Sequence, residues 1–419
     1  KCFGKSFRLA FFTPNSGMNE EAWRDFKSNL LTITRQVHFS PRNPNLSLDV
    51  VLSLNGLPIV TLELKNPLTN QNIDNAIYQY KFDRDPNEPI FRFKERALVH
   101  FAVDPDLVYM STKLEGKDTF FLPFNKGFKD GAGNPPVDGG YKTDYLWNEV
   151  LQRDSLMDIL ARFIHLQIEE KKIVTDKGVI TKKKETMIFP RYHQLDVVRD
   201  LIKSAKQKGS GHNYLIQHSA GSGKSNSIAW LAHRLSSLHN ERDEKVFDTV
   251  VVITDRTVLD QQLQNTIYQF EHKQGVVQKI DENTQQLAKA LSGGVPIVIS
   301  TVQKFPFIAQ ALETLEKKGE QVKIDTSGKR YAVIVDEAHS SQSGETAMEL
   351  RKVLNQEGIQ AALAEQMLDM DDEDLSEEAK EGLIKEMLKR PRQKNISYFA
   401  FTATPKYKTL LVFDEPGKE

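Results

Sequence analysis

One cysteine, Cys2, stands in 419 residues. A single thiol excludes an internal disulfide framework and fits a reducing compartment. Also lacking is any apolar run long enough to cross a bilayer, and the first residues show no charged-then-apolar leader. The expectation is a cytoplasmic protein with no membrane partner. Net charge is scarce as well: 56 Lys and Arg against 57 Asp and Glu leave −1. With no global field to attract nucleic acid, any such contact must come from local basic faces. What is present is ordinary for a globular chain, 39% apolar and 27% charged, and its length exceeds what one hydrophobic core usually serves. At least two domains are expected. The chain starts at Lys1 without a methionine and stops soon after its last motif, as a piece of a longer protein would.

The stretch Gln217-His218-Ser219-Ala220-Gly221-Ser222-Gly223-Lys224-Ser225 lies between an apolar strand-like run, Tyr214-Leu215-Ile216, and a helical pattern that begins near Ser225. A phosphate-binding loop belongs in such a place. Gly221 and Gly223 allow the backbone around Ser222 to turn its N–H groups toward β- and γ-phosphates, and the following helix adds its dipole. Lys224 would reach the terminal phosphates and Ser225 would give its hydroxyl to Mg²⁺. The match to G-x-x-x-x-G-K-[ST] is incomplete, because His218 holds the first glycine position.

In the first third, Trp23, Phe26, Leu30 and Leu31 recur at helical spacing and predict a helix over 20–31. Two strand-like runs, 46–54 and 57–65, flank the turn signal Asn55-Gly56. The hairpin brings Asp49 toward Glu63 and Lys65. Alternation predicts that Glu63 and Lys65 share one face while Leu62 and Leu64 enter the core. Asp49 and Glu63, with the Leu64 carbonyl, would offer hard oxygen ligands to Mg²⁺. Lys65 would orient or deprotonate the attacking water and offset phosphate charge. A solvated sheet face with a Glu–Lys pair is the plain alternative. Runs 97–103 and 107–112, joined by Asp104-Pro105-Asp106, extend the sheet, with His100 as a packed core histidine. Residues 126–141 read as a loop and 146–168 as one helix.

Residues 173–181, between the charge runs Glu169–Lys172 and Lys182–Lys184, read as a hairpin or linker and a solvated face. Beyond the phosphate loop, helical patterns at 225–238, 258–270 and 304–315 alternate with apolar runs at 249–254, 296–300 and 331–335. Such alternation predicts a parallel, doubly wound sheet with its chemistry at the carboxyl ends of the strands. Val333-Ile334-Val335-Asp336-Glu337-Ala338-His339 ends a buried strand in two acids. Asp336 would bind Mg²⁺ and Glu337 would polarise the attacking water. The acidic stretch 365–386 reads as an exposed helical excursion without a catalytic role.

Asp49, Glu63 and Lys65 occupy positions that resemble the catalytic core of PD-(D/E)xK nucleases, with Leu48 where that family has proline. Asn75 to Tyr80 resembles the segment of related nucleases that carries a glutamine. Here Tyr80 follows Gln79 directly and Asp83 stands four residues on, so Gln79 reads equally as a positioning residue or as a capping or core-edge glutamine. Gln194, some two dozen residues before the phosphate loop, looks like the adenine-reading glutamine of superfamily 2 helicases and translocases. Thr402-Ala403-Thr404-Pro405 looks like their motif III. That resemblance implies DNA-backbone contacts by Arg256 and Thr301, and coupling of the nucleotide state through His339, Thr402 and Thr404.

Together these segments resemble the R, or restriction, subunit of type I restriction-modification enzymes. The resemblance implies an α/β architecture: a PD-(D/E)xK endonuclease-like domain over 1–168, a linker over 169–188, and a first RecA-like motor lobe over 189–419, the second lobe lying outside the chain. It also implies ATP and Mg²⁺ as cofactors, translocation of double-stranded DNA, cleavage away from the recognition site, and a complex with methyltransferase (M) and specificity (S) subunits. With one lobe alone, weak ATP hydrolysis is expected. A stand-alone repair helicase-nuclease and a DNA-binding scaffold with a decayed nuclease motif are the rival readings.

Overall fold

The structure is a computed structural model that describes residues 8–14, 17, 19–129, 131–175, 178–219, 221–254, 257–270, 275–280, 284–301, 329–336 and 394–403. The chain divides into two compact units, Lys1–Asp196 and Val197–Glu419. Among the described residues no helix is long and apolar enough to cross a membrane.

In the first unit, α1 (Glu20–Ser28) starts where the Asn19 side chain accepts the Ala22 N–H at 2.9 Å, with Glu20 and Glu21 in its first turn. It stops three residues before the expected end. Asn29 turns extended, and its amide side chain binds the backbone of Phe11 and Phe26 instead. Residues Leu31–His38 then form β1, a strand absent from the sequence reading. It is an edge strand whose residues are largely exposed; Leu31, Ile33 and Val37 alternate with polar residues, but the helical spacing assigned to 20–31 takes Leu31 into the preceding helix.

β2 (Ser47–Leu54) and β3 (Leu57–Leu64) form the expected hairpin. Asn55 and Gly56 both take positive φ, 51° and 83°, as a two-residue turn of right-handed strand twist requires. After α2 (Ile73–Tyr78), β4 (Val99–Val103) joins β3 in parallel, and β5 (Val108–Ser111) and β6 (Leu122–Pro123) follow antiparallel. The sheet order is β1-β2-β3-β4-β5-β6. Leu48, Val51, Ile73, Ala76, Tyr80, Phe91 and Ala102 pack as one core cluster. A large apolar side chain buried there contributes about 1.5–3 kcal/mol.

The single helix expected over 146–168 is broken. A wide turn at Leu146–Val150 ends at Gln152, which is extended, and α3 runs only from Arg153 to Arg162. β7 (His165–Thr175) follows and pairs with β8 (Gly178–Ile188) in register from His165↔Ile188 to Thr175↔Gly178. Tertiary pairing overrides the helical periodicity here, and the hairpin reading of 173–181 holds. Phe189 and Tyr192 then pack edge-on against Phe124. α4 (Tyr192–Lys208) begins in the first unit and continues in the second.

The second unit holds, among the described residues, β9 (Tyr214–Gln217), α5 (Lys224–Ser236), β10 (Thr249–Thr254), α6 (Thr257–Gln269), β11 (Val277–Lys279), α7 (Thr284–Ser292), β12 (Ile297–Thr301), β13 (Tyr331–Val335) and β14 (Ile396–Thr402). Its strands are parallel, in the order β11-β12-β10-β13-β14-β9. β10 and β14 are buried along their whole length, which is why they read as continuous apolar runs rather than alternating ones. Val251, Ile253, Leu287, Leu291, Val298 and Val333 form a core cluster of this sheet. The short β11 and α7 were not foreseen. The helix expected at 304–315 and the acidic excursion at 365–386 lie outside the described residues.

Candidate functional site

Each unit brings polar groups together at strand ends. In the first, the β2–β3 register pairs Val50 with Leu62, so Asp49 and Glu63 oppose each other one step further on. Asp49 is held from two sides: Oδ2 accepts the Leu64 N–H at 2.8 Å and Oδ1 accepts from Gln36 Nε2 at 3.2 Å. Lys65 Nζ donates to Gln79 Oε1 at 2.5 Å. Gln79 is therefore a partner of the lysine, and it also stands at the C-cap of α2. It sits where α2 widens into a π-type turn, Gln79–Asp83, a distortion often found at functional positions. The helix is itself anchored: Asp104 Oδ2 accepts the Ile73 N–H at 2.8 Å, and Asn72 and Asn75 close a reciprocal cap.

One expectation about this face needs correction: Leu64 does not enter the core; it is 40% exposed. The plain alternative of a solvated face does not describe Glu63, which is wholly buried. The cause is α2 and its continuation, which cover the Glu63 face: Thr61 Oγ1 bonds Tyr80 Oη at 2.9 Å and His100 Nδ1 at 2.8 Å. His100 is the core histidine foreseen, and burial lowers its pKa to about 3.

Sequence reasoning gave no role to Arg84. Its Nε and Nη2 reach Glu63 Oε1 at 2.8 and 2.7 Å, and Nη2 also donates to the Ser47 carbonyl at 2.9 Å. Nothing in composition or spacing marks an arginine 21 positions away as the partner of Glu63. The other carboxylate oxygen, Oε2, is buried and meets no hydrogen-bond donor among the described residues. Burial pushes the Glu63 pKa up to about 8; Arg84 opposes the rise and neighbouring Asp49 adds to it. Two adjacent carboxylates with an undonated buried oxygen can be satisfied by a shared proton or by a cation. The residues thus fit a hard divalent ion. Among the described residues no cluster of three or more His, Cys, Asp or Glu offers a metal site, so backbone carbonyls and water would complete any coordination.

In the second unit the loop after β9 enters α5 through Gly221 and Gly223, with φ of 75° and 84°. Both conformations are left-handed and suit glycine. A Cβ at Gly221 would meet nothing within 4 Å, so backbone conformation rather than space selects glycine there. Lys224 Nζ lies 3.0 Å from Asp336 Oδ1, although 112 positions separate them. The pairing arises because β9 and β13 flank β14 in the parallel sheet, so their carboxyl ends point the same way. Ser225, in the first turn of α5, is half-buried. His218 is buried: Nδ1 bonds Ser222 Oγ, Nε2 lies 3.4 Å from Ser227 Oγ, and its N–H donates to the Thr402 carbonyl at 2.8 Å. A side chain that braces the loop thus replaces the first glycine, and the buried Thr402 touches the loop through its backbone.

Gln194 is 3% exposed and its Oε1 accepts the Arg191 N–H at 2.9 Å, capping its own helix. It falls in the first unit, Lys224 in the second. Thr301 ends β12 beside Thr254. Arg256, Glu337, His339 and Thr404 lie outside the described residues.

Comparison with known proteins agrees with this division. Residues 13–119 match the family model described as type I restriction enzyme R protein N terminus, and residues 193–361 match SWI2/SNF2 ATPase. The HindI endonuclease subunit of a type I restriction enzyme from Haemophilus influenzae is 27% identical over 304 residues, 71% of this chain and 26% of that protein. The SsaAORF53P endonuclease subunit from Staphylococcus saprophyticus is 25% identical over 336 residues, 79% of this chain and 31% of that protein. The chain therefore spans between a quarter and a third of these relatives. A region similar to the type I restriction enzyme R protein N terminus and a region similar to the SWI2/SNF2 ATPase thus lie in one polypeptide, and across most of its length the chain is similar to type I restriction enzyme endonuclease subunits.

Proposed function

We propose that this chain contributes ATP-driven translocation of double-stranded DNA and Mg²⁺-dependent cleavage of that DNA away from a recognition site. It would act in the cytoplasm, within a complex that includes methyltransferase and specificity subunits. The observation that carries the reading is the gathering of Asp49, Glu63 and Lys65 at one end of β2–β3, with Glu63 Oε2 buried and undonated. Asp49 and Glu63, with the Leu64 carbonyl, hold Mg²⁺, which supplies Lewis acidity at the scissile phosphate. Lys65, oriented by Gln79, directs the attacking water toward phosphorus and offsets the charge that develops there.

In the second unit, the loop Gly221–Gly223 surrounds the β- and γ-phosphates of ATP, Lys224 exchanges Asp336 for the terminal phosphates, and Ser225 and Asp336 hold Mg²⁺. Glu337 orients the water that attacks the γ-phosphate. Gln194 would read adenine only after giving up the Arg191 N–H. Arg256 and Thr301 contact the DNA backbone, and His339, Thr402 and Thr404 couple the nucleotide state to it.

The test is DNA cleavage and ATP hydrolysis by the purified chain, alone and with methyltransferase and specificity subunits. Lys65→Ala should abolish cleavage and leave ATP hydrolysis intact, whereas Lys224→Ala should abolish ATP hydrolysis. Wild-type cleavage by Lys65→Ala, or wild-type hydrolysis by Lys224→Ala, would overturn the corresponding half of the reading.

A further inference from the structure

Arg84 and Glu63 are in direct contact with 3% and 0% of their side chains exposed. Burying a guanidinium beside a carboxyl group is expensive unless both are fully coordinated. Here the coordination is one-sided. Arg84 aims both Nε and Nη2 at the same oxygen, Oε1, at 2.8 and 2.7 Å, and leaves Oε2 without a donor. A guanidinium placed only to neutralise a buried carboxylate would normally take the two-oxygen fork. It does not do so because it is fixed elsewhere: Nη2 also binds the Ser47 carbonyl at 2.9 Å, Nη1 reaches the Asp83 carbonyl at 3.4 Å, and the guanidinium lies 5.4 Å from the Phe39 ring centroid. Ser47 stands two residues before Asp49 on β2. One arginine therefore ties the start of β2 to the carboxylate of β3 that faces Asp49.

We propose that Arg84 is a positioning residue of the carboxylate site: by holding Glu63 Oε1, it fixes the carboxylate so that Oε2 alone is left undonated and serves as a single-oxygen ligand for a divalent cation shared with Asp49. The inference rests on the reading of Asp49 and Glu63 as cation ligands and deepens it. Arg84 touches neither cation nor DNA. It sets the rotamer of the ligand, and its pair with Glu63 persists when the cation binds. Lysine cannot reproduce this, since a single ammonium cannot direct two donors at Oε1 while reaching Ser47.

The experiment measures Mn²⁺ affinity by calorimetry, with folding followed by far-UV circular dichroism, on the wild-type chain and on Glu63→Gln, Arg84→Lys and Arg84→Met. Binding that Glu63→Gln removes reports this site. In folded Arg84→Lys that component should weaken about tenfold or more, the scale seen when partners behind metal ligands are removed, and Arg84→Met should weaken it further. Wild-type affinity in folded Arg84 variants overturns the role of Arg84 while leaving the cation site standing. Mn²⁺ binding that Glu63→Gln leaves unchanged overturns the underlying cation-site reading instead. Should both Arg84 variants fail to fold, the Arg84 Nε–H resonance of the wild-type chain decides during titration with diamagnetic Mg²⁺. Retention of its hydrogen-bonded shift supports the persistent pair, and its collapse toward the free-arginine position overturns it.

Discussion

At the scale of single residues, the chemistry of the first unit is concentrated in Glu63. Its pKa, raised to about 8 mainly by burial, has a definite consequence for stability. Between about 4.5 and 8 the folded chain holds a proton on Glu63 that the unfolded chain has released, so stability falls as pH rises through that window. His100 works on the acid side. Burial holds it neutral with a pKa of about 3, so the unfolded state takes up its proton below about 6.5 and stability falls as pH drops. In metal-free buffer the melting temperature of wild type should therefore decline on both sides. Glu63→Gln should flatten the alkaline limb and leave the acid limb, as scanning calorimetry across pH 4–9 would reveal; an alkaline limb unchanged by the substitution would contradict the assignment. On the proposed function, the same substitution should reduce DNA cleavage at least about a hundredfold, because it would remove one of the two carboxylates placed to hold a divalent ion.

Elements decide where these residues stand. The β2–β3 turn needs left-handed conformations at Asn55 and Gly56. Gly56→Ala meets no atoms within 4 Å, so its cost is backbone conformation alone, roughly 1 kcal/mol. A urea midpoint unchanged by the substitution would contradict that account. The turn out of α2 matters differently. It carries Gln79 to Lys65 and Tyr80 to Thr61. Gln79→Ala should lower cleavage turnover with little effect on the melting temperature, because Gln79 contacts only the lysine amine through its side chain among the bonds described. Tyr80→Phe should do the reverse, because Tyr80 is fully buried and its hydroxyl satisfies Thr61. Kinetic and melting measurements on the pair separate the two roles. The phosphate loop follows the same logic: Gly221→Ala should weaken ATP binding through backbone strain at φ 75°.

For the whole molecule, two units each carry their own acids and lysine. Lys224→Ala should abolish ATP hydrolysis and ATP-dependent cleavage while Mn²⁺ binding at Asp49 and Glu63 stays at its wild-type level; loss of that binding would show that the two sites are not separable. How far the sequence reaches is visible in the same residues. Asp49, Glu63, Lys65, Lys224 and Asp336 were readable because they punctuate strand and loop patterns that are local along the chain. So were the Asn55-Gly56 turn and the buried strands β10 and β13, whose apolar runs state their own burial. β1 was not read, because Leu31 also fits the helical spacing of the residues before it and the strand is an exposed edge, and the end of α3 was not, because pairing of His165 with Ile188 outweighs helical periodicity. The sequence by itself determined the kinds of groups available and their order on the elements. Only the tertiary structure decided that Glu63 is buried rather than solvated, that Arg84 holds one of its oxygens, and that Lys224 meets Asp336, since each depends on contacts between segments far apart in the chain.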